Sequence, residues 1–240
     1  MKASVTLENI SVEGVNTLGR AEGLRDWFRG KHRTSNKVDI LKNITLHAKA
    51  GDHIGLVGRN GSGKSSLLRV IAGVYPVASG TVSITGSIAP MIERAMGNEL
   101  ALTGRENIRT CLLYNNALEK HTAELEQRII EFTELGDKID FPIKAYSSGM
   151  RARLNFAIGM MCKPDILICD EVFATGDKFF IEKAKALFQE MFESAQLSFM
   201  VSHSPQIIRQ FCSKCYLIEQ GKIVNEGTPN AILKQYESQS

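Results

Sequence analysis

The amino-acid sequence predicts an α/β fold with a largely parallel β-sheet and a separate, mostly helical region. Two observations support this prediction. Short apolar or alternating runs, typical of strands, alternate along the chain with longer stretches of helical periodicity. Between about residues 97 and 160 the pattern is mostly helical, with Leu125, Ile129 and Phe132 on one face. The 240 residues, of which 43% are hydrophobic and 23% charged, suffice for one globular unit with a subdomain.

The individual elements follow from these local patterns. Residues 3–12 and 39–48 alternate like half-buried strands, and the short apolar run at 53–58 predicts a buried strand. A helix is expected from Ser65 to Val74. The remaining predicted elements are strands at residues 82–88, 166–169 and 198–201 and a helix with an apolar stripe from Phe180 to Met191. Glycines and basic residues between 15 and 37 predict a loop or short amphipathic helix inserted between two strands.

Composition excludes several classes of protein. The net charge of +3 is too small to indicate nucleic-acid binding. No run approaches about 18 apolar residues, so no membrane span is expected, and residues 1–15 lack the apolar centre of a secretory signal. Five cysteines, an odd number, indicate a reducing compartment. Cys212 and Cys215 form a CxxC without a second ligand pair, and we interpret them as core packing rather than as a metal or redox site.

A glycine-rich segment carries the first functional prediction. Residues 58–65, GRNGSGKS, match G-x-x-x-x-G-K-[ST] at every fixed position, between a predicted buried strand and a predicted helix. Backbone N–H groups of such a turn bind phosphate, Lys64 can reach the β- and γ-phosphates, and the Ser65 hydroxyl can bind Mg²⁺. The sequence therefore predicts that the chain binds a nucleoside triphosphate. The residues assigned to this site are Gly58, Arg59, Asn60, Gly61, Ser62, Gly63, Lys64, Ser65 and Ser66.

Two carboxylates follow the apolar strand predicted at 166–169. A hydrophobic strand that ends in an acidic residue is the second half of a P-loop site. Asp170 is predicted to hold Mg²⁺ through a water, and Glu171 to orient or deprotonate the water that attacks the γ-phosphate. The alternative is a solvated pair of carboxylates, which the four preceding apolar residues and the P-loop disfavour.

Residues 146–150, YSSGM, lie just before a helix predicted to start at Arg151, and they resemble the LSGGQ signature motif of ATP-binding cassettes in ABC transporters. Residues 3–240 as a whole look like such a cassette. The resemblance implies an α/β P-loop NTPase fold with a RecA-like core, an antiparallel β subdomain and a helical subdomain at about 97–160. A loop insertion would lie at about 15–37.

The same resemblance implies that two copies of the chain close around two Mg·ATP. Each nucleotide would lie between the P-loop of one copy and the signature segment of the other, formed by Ser147, Ser148, Gly149 and Met150. His203 corresponds to the switch histidine that contacts the γ-phosphate. Asp177 lies in the loop that crosses the dimer interface, and Glu93 stands where most cassettes carry a Mg²⁺-sensing Gln. Because no tyrosine lies near residues 12–16, Trp27 and Phe28 are the candidates for stacking on adenine.

Three segments together, LTGREN at 102–107, YSSGM at 146–150 and DEVFATGD at 170–177, resemble a narrower group of ATPase subunits. This group exports lipid-linked O-antigen, capsule or teichoic-acid polysaccharides. Membership implies ATP hydrolysis, a lipid-linked polysaccharide as cargo, and a separate multi-span membrane permease whose coupling helix would dock at 97–115. It also implies a peripheral location on the cytoplasmic face of the bacterial inner membrane.

O-antigen is the first choice of cargo, with capsule and teichoic acid as alternatives. A remoter alternative is a soluble ABC ATPase that acts on ribosomes or DNA. Such proteins usually carry two cassettes and a charged linker, whereas this sequence has one copy of each motif, and no nucleic-acid partner is expected. A P-loop kinase is a further alternative, against which the signature segment argues.

Overall fold

The computed structural model describes residues 2–15, 37–91, 99–114, 123–161, 163–171 and 178–238. The strands are β1 (Ser4–Val15), β2 (Lys37–Lys49), β3 (His53–Val57), β4 (Ser79–Thr85), β5 (Ile88–Met91), β6 (Ile166–Asp170), β7 (Leu197–Val201), β8 (Lys214–Glu219) and β9 (Lys222–Gly227). The helices are α1 (Lys64–Ile71), α2 (Gly104–Tyr114), α3 (Ala123–Thr133), α4 (Ser148–Met161), α5 (Lys178–Ser194), α6 (Pro205–Phe211) and α7 (Pro229–Ser238). Two short 3₁₀ helices cover Gly136–Asp140 and Ile143–Ala145.

The strands form two sheets. The larger has the order β5-β6-β7-β3-β8-β9 and is parallel except for β9, which pairs antiparallel with β8. The smaller is an antiparallel sheet of order β2-β1-β4. The predicted α/β fold with a parallel sheet is therefore confirmed. Most of the predicted insertion, residues 16–36, lies outside the described residues.

Side chains of the central strands alternate between two apolar cores, one on each face of the larger sheet. On β8, Cys215 and Leu217 belong to one core, and Tyr216 and Ile218 belong to the other. Helices α2 to α7 cover the first face, and α1 together with the antiparallel sheet covers the second. Strands buried on both faces have continuous apolar sequences, which explains the short apolar runs in the chain. Each fully buried Leu or Ile contributes about 1.5–3 kcal/mol, so this sheet is a rigid base for the loops at its edge.

The helix after the glycine-rich loop ends at Ile71, earlier than the predicted Val74. Gly73 has φ +71°, its N–H donates to the Val70 carbonyl, and the Val74 N–H donates to the Arg69 carbonyl. This pair of bonds is a Schellman motif, which ends a helix at a glycine in the left-handed region. Val74 is therefore outside the helix and 43% exposed.

The strand predicted at 82–88 is divided in the structure between two sheets. β4 ends at Thr85 in the antiparallel sheet, and β5 begins at Ile88 beside β6. Gly86 between them has φ +114°, and the N–H and hydroxyl of Ser87 both donate to Asp165 at 2.9 Å. The turn is therefore fixed by a contact that is distant in sequence, which local alternation cannot reveal.

The helical region joins the core through aromatic side chains. Phe132 on α3, Phe156 on α4 and Phe180 on α5 form a cluster with ring centroids 5.6–6.1 Å apart. Such contacts favour a fixed packing of the three helices. Among the described residues, no helix has the length and apolarity that crossing a bilayer requires.

Candidate functional site

The glycine-rich loop lies at the carboxyl end of β3, in the middle of the parallel sheet, and leads directly into α1. Gly58, Gly61 and Gly63 have φ values of +154°, +80° and +110°, which side-chain-bearing residues rarely adopt. A Cβ on Gly58 would overlap the Ile218 carbonyl, and one on Gly63 would lie 2.8 Å from Leu41. Residues of β8 and β2 therefore pack closely against the loop and restrict its backbone conformation.

Two side chains of the glycine-rich segment, Ser62 and Lys64, are buried. Ser62 is 6% exposed, and its hydroxyl has no hydrogen-bond partner in the described part of the chain. A buried polar atom without a partner is costly and is explained when a ligand completes it. The Lys64 ammonium donates to the carbonyls of Gly58 at 2.7 Å and Arg59 at 2.9 Å. Burial lowers the pKa of Lys64, while the carboxylates of Asp170 and Glu171 oppose that shift.

Asp170 ends β6 and lies beside the start of α1, because β6 and β3 both neighbour β7. The Ser65 hydroxyl donates a hydrogen bond to its carboxylate. Burial raises the pKa of Asp170, and this hydrogen bond opposes the rise. A hydroxyl and a carboxylate oxygen side by side are the hard ligands that Mg²⁺ prefers, so the two residues fit that ion.

Glu171 has a left-handed backbone conformation with φ +52°, which is strained for a residue other than glycine. Its N–H donates to the Val201 carbonyl at 3.1 Å, which anchors it to the end of β7. Its Oε1 lies 2.8 Å from Nε2 of His203, which follows the same strand. The strained conformation therefore directs the carboxylate of Glu171 toward His203.

The signature segment begins α4. The Ser147 hydroxyl accepts a hydrogen bond from the Met150 N–H at 3.2 Å, so Ser147 is the N-cap and the helix starts at Ser148 rather than at the predicted Arg151. A Cβ on Gly149 would meet nothing closer than the Ser147 hydroxyl, at 3.9 Å, so this side of the turn is open. Helix α4 packs in the core opposite to the one that holds α1.

Of the predicted site residues that the structure describes, those of the P-loop and the three residues at or just after the ends of β6 and β7 lie together, whereas the signature segment lies apart from them. The loop at 58–66, Asp170, Glu171 and His203 share the carboxyl edge of the parallel sheet. The segment at 147–150 belongs to the helical region on one face of the sheet. Glu93, Asp177, Trp27 and Phe28 lie outside the described residues.

Residues 102–107, which contribute to the family resemblance, also have a local structural role. Thr103 and Glu106 form a capping box at the start of α2: the Glu106 N–H donates to the Thr103 hydroxyl, and the Thr103 N–H donates to Glu106 at 2.8 Å. Asn107 is 1% exposed and bonds both to the backbone of Glu99 and to the Thr103 carbonyl. The T-x-x-E spacing was the signal that could have identified this cap.

Tyr236 on α7 was not assigned by sequence analysis. It lines a cavity of about 420 Å³ with Gly58–Ser62 of the loop and the turn that follows Ile218. The C-terminal helix therefore packs behind the glycine-rich loop. Cys212 and Cys215, the residues of the CxxC, are both buried where α6 runs into β8, beside Gly55.

Comparisons with known proteins identify the family. A family model described as ABC transporter matches residues 41–174, more than half of the chain. The chain belongs to this family, as an ATP-binding protein that hydrolyses ATP, and the resemblance found in the sequence is confirmed.

Two relatives are similar over almost the whole chain. The O-antigen export system ATP-binding protein RfbE from Yersinia enterocolitica is 40% identical over 213 residues, which are 88% of this chain and 86% of that protein. The teichoic acids export ATP-binding protein TagH from Staphylococcus haemolyticus is 37% identical over 237 residues, 99% of this chain and 89% of that protein.

Solved structures show the same fold. The dimeric ATP-binding cassette MJ0796 bound to ADP and Pi matches with a TM-score of 0.70 and 19% identity, over 94% of this chain and 98% of that chain. An ATP-binding subunit of an ABC transporter matches with a TM-score of 0.71 and 20% identity, over 97% and 93% of the two chains. The cassette fold, with its parallel core sheet and antiparallel β subdomain, is confirmed.

Proposed function

We propose that the chain is the ATP-hydrolysing subunit of a transporter that exports a lipid-linked surface polysaccharide across the cytoplasmic membrane. The observation that carries this proposal is the 37–40% identity to proteins named for O-antigen export and teichoic acid export. O-antigen is the first candidate cargo, and capsular polysaccharide or teichoic acid are the alternatives. Residues 3–240 form one nucleotide-binding domain, with the helical subdomain at about 97–160 and the insertion at about 15–37.

ATP binds through residues 58–66 in this proposal. The three left-handed glycines leave room for backbone N–H groups to face a phosphate, and the partnerless Ser62 hydroxyl needs such an acceptor. Lys64 exchanges the carbonyls of Gly58 and Arg59 for the β- and γ-phosphates when nucleotide enters. The Lys64 ammonium therefore lies against the loop that would hold the phosphates.

Ser65 and Asp170 are the residues that would hold Mg²⁺, Asp170 through a water. In the described part of the chain no three His, Cys, Asp or Glu side chains gather into a metal site, so phosphate oxygens and water would complete the coordination. When bound, the ion would neutralise charge that develops on the phosphates. The role of Glu93 near this ion rests on the resemblance alone.

Glu171 acts as the general base. It takes a proton from the attacking water, whose oxygen bonds to the γ-phosphorus while the bond to the ADP oxygen breaks. His203 contacts the γ-phosphate, and its 2.8 Å contact with Glu171 supports a second role in holding the carboxylate toward the phosphate. Both residues follow neighbouring strands, so the sheet itself sets their separation.

A second copy of the chain completes each site. Ser147, Ser148, Gly149 and Met150 of that copy cover the γ-phosphate, and Asp177 lies in the loop that crosses between copies. The open side of Gly149 and the N-terminus of the 14-residue helix α4 support this role, because both suit an anion.

A separate membrane permease docks on the helical region from the cytoplasmic side, which makes this subunit peripheral to the inner membrane. The described part of the predicted docking segment exposes Leu100 and Leu113, and Phe141 lies beside it, each more than half exposed. Contiguous exposed apolar patches are typical of protein interfaces, and Leu100 and Phe141 lie on segments that are hydrogen-bonded to each other.

The test is made in the source cell, where Glu171→Gln replaces the native residue. We expect surface polysaccharide to disappear and lipid-linked polymer to accumulate inside, and the chemistry of the trapped polymer distinguishes O-antigen, capsule and teichoic acid. The matched control is Glu134→Gln, because Glu134 also has a left-handed conformation, φ +56°, and similar exposure, but lies in the helical region. Unchanged surface polymer in the Glu171→Gln strain would overturn the cargo assignment.

A further inference from the structure

We propose that Tyr146 is a positioning residue for ATP hydrolysis, whose hydroxyl fixes the signature segment to the part of the helical region that contains Leu100 and Phe141. The inference rests on the proposed function, because it requires Ser147–Met150 to act on nucleotide bound by a second copy. Tyr146 itself touches no nucleotide and acts through the residues that follow it.

The Tyr146 side chain bridges two elements. It is 4% exposed, and its hydroxyl donates to the Lys138 carbonyl, in the 3₁₀ helix Gly136–Asp140, at 2.7 Å. The hydroxyl also lies against the backbone of Gly104, the first residue of α2, where a Cβ would overlap it. One buried oxygen therefore connects the 3₁₀ helix with the N-terminus of α2.

The backbone of Tyr146 is held at both ends. Its N–H donates to the Ile143 carbonyl at 2.9 Å, and its carbonyl accepts from the Arg151 guanidinium at 3.2 Å. The next residue, Ser147, is the N-cap of α4. A shift of Tyr146 therefore moves the N-cap and with it the turn that presents Ser148 and Gly149.

The same residue is connected to the exposed apolar surface. The Ile143 N–H donates to the Leu102 carbonyl at 2.9 Å, the Lys144 N–H donates to the Leu100 carbonyl at 3.0 Å, and Thr103 forms a β-bridge with Pro142. These contacts hold residues 100–104, which lead into α2, against residues 141–144, which lead into the second 3₁₀ helix, so we treat the two segments as one unit. Leu100 and Phe141 project from this unit, 52% and 55% exposed.

A leucine, the common first residue of the signature motif, could fill the same apolar space but could not bond to the Lys138 carbonyl. The hydroxyl is therefore the part of Tyr146 that adds the connection, and Tyr146→Phe removes it while keeping the ring. The Lys138 carbonyl would keep its bond from the Phe141 N–H, but the hydrogen bond that ties it to Tyr146, and so to the signature turn, would be lost.

The test uses the full chain carrying Glu171→Gln, in which ATP should produce a stable dimer. Adding Tyr146→Phe should raise the ATP concentration for half-maximal dimerisation about three- to tenfold, the change expected for loss of one hydrogen bond. Binding of a fluorescent ATP analogue to the monomer should not change, since the P-loop is untouched. In the chain with Glu171 intact, the apparent KM for ATP should rise while kcat stays near the parent value.

The matched control is Tyr216→Phe. Tyr216 is 2% exposed, and its hydroxyl accepts from the Lys214 ammonium at 2.9 Å, but it lies on β8 in the other core. Tyr216→Phe should lower the melting temperature about as much as Tyr146→Phe does. It should leave the ATP concentration for half-maximal dimerisation unchanged. The inference would be overturned if both variants raised the ATP concentration for half-maximal dimerisation equally. It would also be overturned if Tyr146→Phe left that concentration unchanged.

A second variant changes Gly104, whose backbone contacts the Tyr146 hydroxyl. A Cβ at Gly104 would overlap the Tyr146 hydroxyl and would also lie 3.0 Å from the Ile139 carbonyl, so Gly104→Ala should weaken dimerisation at least as much as Tyr146→Phe. Because both changes break the same hydroxyl contact, the effect of the double variant should be smaller than the sum of the two single effects. Additive defects would contradict a shared contact. If the Glu171→Gln parent does not dimerise with ATP, the proposed function fails and the inference with it, whereas a failure confined to the Tyr146 and Gly104 variants overturns the inference alone.

Discussion

Glu171 and His203 show how single residues combine strain with chemistry at this site. The left-handed conformation of Glu171 costs about 1–3 kcal/mol, and its backbone hydrogen bond to Val201 helps to hold it. The conformation places its carboxylate 2.8 Å from an imidazole nitrogen of His203, just after the neighbouring strand β7. Glu134 has a similar conformation away from this site, so the contact with His203, rather than the strain alone, supports a function of the pair in hydrolysis.

The first residue-scale prediction concerns the chemical step. Glu171→Gln should lower the rate of ATP hydrolysis about 10²- to 10⁴-fold, the usual contribution of a general base, while nucleotide affinity stays near that of the wild type. Phosphate release and titration with a fluorescent ATP analogue measure the two quantities. Glu134→Gln should hydrolyse ATP at the wild-type rate. Wild-type turnover of Glu171→Gln would exclude Glu171 as the base.

The second residue-scale prediction concerns binding. Lys64→Ala should weaken ATP binding about 10- to 100-fold, because a charged donor to the phosphates is lost. Lys49→Ala removes an exposed lysine at the end of β2 and should leave the affinity unchanged. Equilibrium titration at fixed salt measures both. An unchanged affinity in Lys64→Ala would contradict the assignment of the loop.

At the scale of elements, the strand–loop–helix unit around Lys64 could be predicted because its sequence pattern is local. Buried strand, glycine-rich turn and helix follow one another within about 20 residues, and each has a recognisable period or composition. The contact between Glu171 and His203 could not be predicted from spacing, since 32 residues separate them and only the pairing of β6 with β7 brings them together.

In the helical region, too, contacts between segments distant in sequence could not be predicted. Its existence was predicted from periodicity, but the two 3₁₀ helices and the bond from Tyr146 to Lys138 depend on packing between segments. Helix α4 begins three residues earlier than predicted, because the Ser147 hydroxyl caps it and Ser148 is already its first residue.

One prediction belongs to helix α2. Thr103→Ala should lower the free energy of unfolding by about 1 kcal/mol, because the first turn loses its cap. For a chain of this size the melting temperature should fall by roughly 2–4 °C. Thermal denaturation measures this change. Thr110→Ala is the control on the same helix: the Thr110 hydroxyl only donates back to the Glu106 carbonyl, so its loss should be neutral or slightly stabilising. Equal decreases in melting temperature for Thr103→Ala and Thr110→Ala would contradict the role of Thr103 as a helix cap.

The capping box also predicts a pH dependence. Hydrogen bonds from Thr103, the backbone bond first, lower the pKa of Glu106 from its usual value of 4.5. A group whose pKa is lower in the folded state stabilises the fold above its unfolded pKa, and loses that effect as the pH falls through the folded pKa. Glu106→Gln should therefore be less stable than the wild type at pH 7, and the difference should shrink below about pH 4.5. If the stability difference between Glu106→Gln and the wild type did not change with pH, it would not arise from the charged Glu106 carboxylate.

For the whole molecule, the arrangement of motifs supports the proposal that two copies of the chain build each site. Helix α1, which follows the P-loop, packs in one core, and α4, which follows the signature turn, packs in the opposite core, so the sheet lies between the two helices. The chain carries one copy of each motif. If a signature turn is to cover the γ-phosphate, a two-fold related copy supplies it, and two equivalent sites form in the same interface.

This arrangement predicts complementation between two inactive variants. Lys64→Ala damages the P-loop side of a site, and Gly149→Asp places a carboxylate on the open side of the signature turn, where it has room but repels phosphate. Each variant alone should be almost inactive, because both of its sites are damaged. In an equal mixture half of the dimers are mixed and contain one intact site, so about a quarter of the wild-type ATPase rate should return.

The control for complementation is a mixture of Lys64→Ala with Glu171→Gln. Both changes damage the same half of a site, so each site of the mixed dimer keeps one defect and the mixture should stay inactive. Phosphate release after overnight exchange of the two proteins measures both mixtures. Recovery only in the mixture with Gly149→Asp would show that the P-loop and the signature turn of one site come from different chains. No recovery in either mixture would mean that Gly149 does not act across the interface, and the role of the signature segment in the proposed function would fail.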